Sequence, residues 1–142
     1  MSFLEDIKLP ECSLCVYSSL IFLTNVFLAL YYNHYFYAFL FLCLTITSVV
    51  HHIHNTFYTN IIDKIFVYSI IFYGGYIFYN NFNKESIKFV LIIITFLLVV
   101  FLYAYGYLTD NYSFHPTHSV SQMYHSWLHI ISSIGHHFII LL

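Results

Sequence analysis

Five positions in this sequence have residue types and spacing suited to hydrolytic chemistry: Ser48, a histidine shortly after it, Asp63, His125 and His129. Ser48 and His52 are four residues apart, so on a helix they share one face, one turn from each other. His51, three residues from Ser48, meets the same geometric test, and His54 stands close by. Near the C-terminus, His118, Gln122, His125, His129, Ser132 and His136 follow in steps of 4, 3, 4, 3 and 4. That rhythm is one continuous polar stripe on an otherwise apolar helix. Three neutral imidazoles with an open fourth position are the ligand set of a catalytic zinc, and histidines at i and i+4 are well placed to chelate. Zinc activates a water nucleophile. A carboxylate such as Asp63 can hold and deprotonate that water, and a hydroxyl such as Ser48 can position it or stabilise a developing oxyanion.

The elements that must position these groups are membrane helices. The chain of 142 residues is 61% hydrophobic and 7% charged, with no arginine and a net charge of -2. Its mean hydropathy is +0.79. Soluble domains carry about 25% charged residues, so a soluble enzyme, a disordered segment and a nucleic-acid binder are all excluded as readings. A spanning helix needs about 20 mostly apolar residues. Five such segments are read at residues 13–32, 35–52, 61–79, 87–108 and 119–142. The expectation is an all-α, polytopic membrane helical bundle forming a single domain over residues 1–142. The first segment lacks a basic flank and a small-residue cleavage site, and is read as a retained helix. Lys8 and Lys64 fall on one side and Lys84 and Lys88 on the other, so the positive-inside rule leaves orientation open.

Five spans place the exit of the second, the entry of the third and the entry of the fifth on the same side. Ser48, the 51–54 histidines, Asp63, His125 and His129 therefore converge at similar depth. The pattern Ser48-x3-His52-x10-Asp63, followed by His125-x3-His129, with the local text TSVVHH at 47–52 and HSWLHIISSIGHH at 125–137, resembles the CREST superfamily of membrane hydrolases. That superfamily takes in the alkaline ceramidases and the progestin and adipoQ receptors. The resemblance covers about half of the chain. It implies that His52, His125 and His129 bind zinc, with Ser48 and Asp63 beside the water. It further implies a lipid amide or ester as substrate, reached from within the bilayer. The family's usual seven helices stand against five here, a difference of one pair that preserves the convergence. Glu5, Asp6 and Glu11 do not clearly match the calcium site of the ceramidases, which leaves the lipid open.

The other polar residues have plainer readings. Cys12 and Cys15 read as small residues at a helix start, and Cys43 as a buried apolar one. His34, His115 and His118 read as interfacial, His137 as lateral packing, and Trp127 as packing or an interfacial anchor. Asp110 reads as solvated in a loop. Asn25 reads as an interhelical hydrogen bond. His136 continues the polar stripe toward a cavity or another helix. Two other functions fit the same residues: a haem protein ligated by membrane histidines, or a non-catalytic receptor on the same scaffold.

Overall fold

A computed structural model describes residues 13–82 and 87–142. It is an all-helical bundle, with no strand among the described residues. The elements are α1 (Ser13–Ser19), α2 (Phe22–Tyr31), α3 (Tyr35–His54), α4 (Phe57–Asn80), α5 (Ile87–Thr109), a 3-10 turn at Tyr112–Phe114, and α6 (His118–Ile140). Cys12 and the Glu5, Asp6 and Glu11 cluster lie outside the described residues.

The first expected span is a rod with a break. Ser18 and Ser19 both donate their hydroxyls to the Cys15 carbonyl, at 3.1 and 2.7 Å. Such back-bonding competes with the helical ladder. The next amides, of Leu20 and Ile21, accordingly step back three residues instead of four, to Tyr17 and Ser18. Taken together, α1 and α2 still provide a stretch, Leu14–Tyr31, long and apolar enough to cross a membrane, as do Tyr35–His54, Phe57–Asn80 and Ile87–Phe114. The fifth expected segment, 119–142, is a helix of ample length, but its polar stripe keeps it out of that group of four. It packs against α1, α2, α4 and α5.

The connection expected at 53–60 is much shorter than read. Helix α3 runs on to His54, Asn55 takes the left-handed conformation (φ 44°), and Thr56 caps α4 through a reciprocal bond with Thr59. Asparagine tolerates that backbone well, and a capping box satisfies two otherwise orphan amides. Asp63 thus lies in the second turn of α4, not the first. Ser48 is six residues before the end of α3 and Asp63 six after the start of α4. At about 1.5 Å per residue both stand about 9 Å from the turn.

Helix α4 packs on α3 and α5 packs on α6, whereas α4 and α5 scarcely meet. Close approach is set by small residues. A Cβ at Gly135 would lie 2.6 Å from Thr95 Oγ1 on α5, and one at Gly74 would lie 2.6 Å from the Tyr37 hydroxyl on α3. The core is built from Phe22, Ala29, Tyr37, Phe41, Ile70 and Ile140, with their neighbours. Large apolar side chains such as Phe27, Phe72, Phe96 and Leu97 point outward.

Candidate metal centre

The convergence inferred from helix parity is present. His52 on α3 and His125 and His129 on α6 each bring a ring nitrogen to within 4.8 Å of the others, forming a group that can hold a metal ion. Their ring centroids are 4.8–5.3 Å apart, with His125 edge toward face against both others and His52 and His129 tilted at 57°. His52 and His129 are buried, and His125 is half-buried. His51 is turned away to Thr59, with Nδ1 3.3 Å from that hydroxyl, and His54 is exposed. The histidine choice that helical spacing left open therefore falls to His52.

Ser48 and Asp63 are buried nearby, 2% and 5% exposed. Asp63 Oδ1 accepts a long hydrogen bond from Thr47 at 3.4 Å. Both line an apolar cavity of about 440 Å³, together with His125, His129, Ser132 and His136. Thr45 is not part of the site, since its hydroxyl donates to the Phe41 carbonyl.

Two residues that sequence reasoning did not single out complete the centre. Ser18 Oγ lies 2.8 Å from His129 Nδ1. With its proton on the Cys15 carbonyl the oxygen accepts from an Nδ1–H; with its proton on Nδ1 it would hold the other tautomer. The first arrangement gives His129 the tautomer whose Nε2 lone pair is free to ligate, the arrangement that outer partners impose on metal-binding histidines. Ser19 Oγ lies 2.9 Å from Ser48 Oγ. Either hydroxyl can donate in that pair; with the Ser19 proton on the Cys15 carbonyl at 2.7 Å, Ser48 is the donor. The signal available in the sequence was a Ser-Ser pair inside a charge-free span, which by itself reads as helix packing. Phe22 closes the inner side of His129, with ring centroids 5.3 Å apart.

The remaining polar stripe of α6 is used along its length. His118, Gln122 and His125 line a second, polar cavity of about 360 Å³ toward the turns, while His125, His129, Ser132 and His136 line the apolar one. His136 does both things considered for it, lining the cavity and bonding through Nδ1 to the Tyr37 hydroxyl. Asn25 bonds across to α6, donating to the Ser133 carbonyl at 3.0 Å and accepting from the Ser133 hydroxyl. His137, expected to be lateral packing, is instead tied into this network, its Nε2 3.1 Å from the Thr24 hydroxyl and its Nδ1 2.7 Å from the Ser133 carbonyl. Cys43 is half-buried and not fully enclosed. Trp127 is half exposed.

Comparison with known protein families, characterised proteins and solved structures gives no match. The functional reading therefore rests on the geometry of the site.

Proposed function

We propose that this protein is a multi-pass integral membrane enzyme, a zinc-dependent hydrolase that cleaves an amide or ester bond of a lipid. We propose further that it is a shortened relative of the CREST hydrolases. The observation that carries this reading is the meeting of three ligand-bearing imidazoles, two of which, His125 and His129, share the wall of one apolar cavity with a buried carboxylate and a buried hydroxyl. Each ionisable group inside a membrane bundle is costly, and such groups mark function by default. A polar network that merely fastened helices would have no need of an adjoining cavity within the roughly 300–1,000 Å³ typical of small-molecule sites.

The donor set fits zinc: neutral imidazole nitrogens, three in number, with His129 oriented from behind by Ser18. When bound there, the metal supplies Lewis-acid polarisation of an acyl carbonyl and activation of a water. His52, His125 and His129 hold it. Asp63 accepts a hydrogen bond from the water and takes its proton. Ser48, paired with Ser19, positions that water or stabilises the developing oxyanion. The gap between α4 and α5 gives the lipid a sideways route to the acyl-chain groove. Along α6 that groove reaches from His125 to Ile139, about 21 Å at 1.5 Å per residue.

Elemental analysis of the purified protein, paired with turnover of lipid amides and esters in nanodiscs, tests the reading. Stoichiometric zinc and hydrolysis, both lost in His125→Ala, are expected. Protein free of metal, metal content indifferent to His125→Ala, or a haem absorption band in place of zinc overturns it.

A further inference from the structure

The polar cavity facing the turns shares His52 and His125 with the metal centre, and the rest of its polar lining has no part in the hydrolytic step. Its lining includes His51, His118, Asn55, Asn60, Gln122 and Ser113, with no aspartate or glutamate among its residues. The hydroxyl of Ser113 is buried and has no hydrogen-bond partner among the described residues. Buried polar atoms in native proteins are nearly always satisfied, so an orphan at a cavity wall calls for a ligand or water to complete it.

Lys64 stands where this chamber meets the apolar groove. Together with Tyr103 and His125 it belongs to both linings. Its ammonium sits 5.6 Å from the centroid of the Tyr103 ring and makes no ion pair or hydrogen bond with any described residue. The neighbouring Asp63 attracts it electrostatically without closing an ion pair, and accepts a long hydrogen bond from Thr47. The other described cation, Lys88, is accounted for at the far end of the bundle, where it donates to the Leu141 carbonyl at 2.7 Å. A half-buried lysine that rests on an aromatic face and feels Asp63 only through its field, at the border of a donor-rich chamber, has donors left for an anion.

We propose that the polar chamber is a headgroup site for an anionic lipid, with Lys64 contacting a phosphate of the headgroup while the acyl chain lies in the groove. This deepens the hydrolase reading and rests on it for placing the scissile carbonyl between the two cavities, beside His125. The substrate class is then a phosphate-bearing acyl lipid, in contrast to a neutral sphingolipid, whose headgroup offers hydroxyls only. Histidine, asparagine and serine side chains around the chamber supply further donors to phosphate oxygens, and Lys64 supplies the charge.

The test reads binding without turnover. Affinities of the full-length protein in detergent are measured for a lysophosphatidic acid and for the monoacylglycerol with the same chain. The His125→Ala protein, which cannot turn either over, is measured alongside. The phosphate-bearing lipid is expected to bind about tenfold or more tighter, the range for a hydrogen bond to a charged group. Lys64→Met should abolish that preference and leave the monoacylglycerol affinity unchanged, Lys64→Arg should retain it, and Ser113→Ala should reduce it. Equal affinities for the two lipids, or a preference that survives Lys64→Met, overturns the proposal. So does an equal Lys64-dependent gain with the free fatty acid, which would make the site a carboxylate reader. Inorganic phosphate that binds as tightly as the lysophosphatidic acid would overturn the lipid assignment. If neither lipid is hydrolysed but the Lys64-dependent preference stands, the hydrolase reading fails and the headgroup site does not.

Discussion

Replacing Ser18 with alanine should weaken metal binding although Ser18 is not a ligand. Its oxygen lies 2.8 Å from His129 Nδ1 and 3.1 Å from the Cys15 carbonyl oxygen, and with its proton on Cys15 it accepts from Nδ1–H. At that distance the bond is of ordinary strength. Removing the acceptor leaves a buried N–H without its partner and frees the imidazole to move its proton to Nε2, the nitrogen required for ligation. Both effects weaken the site. Loss of an outer partner of a metal-binding histidine typically lowers metal affinity 10–100-fold, or about 1.4–2.8 kcal/mol by the relation of one decade per 1.4 kcal/mol. Competition against a zinc chelator of known affinity, on protein in detergent, measures the change. Circular dichroism and thermal unfolding monitor the fold, because α1 could also slacken. Ser69→Ala serves as the control, since that hydroxyl merely back-bonds to Ile65 within α4. Unchanged affinity in Ser18→Ala would refute the tautomer argument. A loss as complete as that of His129→Ala would also refute it, by making Ser18 a ligand and not an orienting group.

Three further outcomes follow from the same geometry. Asp63→Asn should keep stoichiometric metal and lower kcat by about 10²–10⁴, the contribution of a positioned general base; loss of metal together with activity would make the carboxylate a ligand instead. His52→Ala should empty the site, whereas His51→Ala, whose ring faces Thr59, should leave metal content intact; elemental analysis of the two proteins side by side decides this. Gly74→Ala should lower the unfolding temperature, because its Cβ would meet the Tyr37 hydroxyl and the His136 ring, while Gly75→Ala, with open space around it, should not. An overpacked core position costs about 1–3 kcal/mol, and equal unfolding temperatures for the two variants would mean that the α3–α4 contact gives way without strain.

Much of this molecule is legible in one dimension because helices are local. Composition alone demands apolar helices, and the 3.6-residue repeat alone places Ser48 and His52 on one face and the stripe from His118 to His136 on another. Helix parity, which needs only the number of spans, brings the ends of α3, α4 and α6 to the same side. What no local rule supplies is the rotation of one helix against another and the exact level at which their residues meet. Those depend on contacts far apart in sequence. The choice of His52 over His51 is a matter of which way α3 faces α6. The equal depth of Ser48 and Asp63 comes from a turn reduced to Asn55 and Thr56. Ser18 and Ser19 enter the site because their own back-bonding breaks α1 from α2 and leaves their oxygens facing α6 and α3. Likewise, only the splaying of α4 from α5 opens a groove and separates it from the polar chamber, with Lys64 at the border. The sequence by itself determined a helical, lipid-compatible chain with its reactive residues in register; packing across the bundle decided which of them meet and what space they enclose.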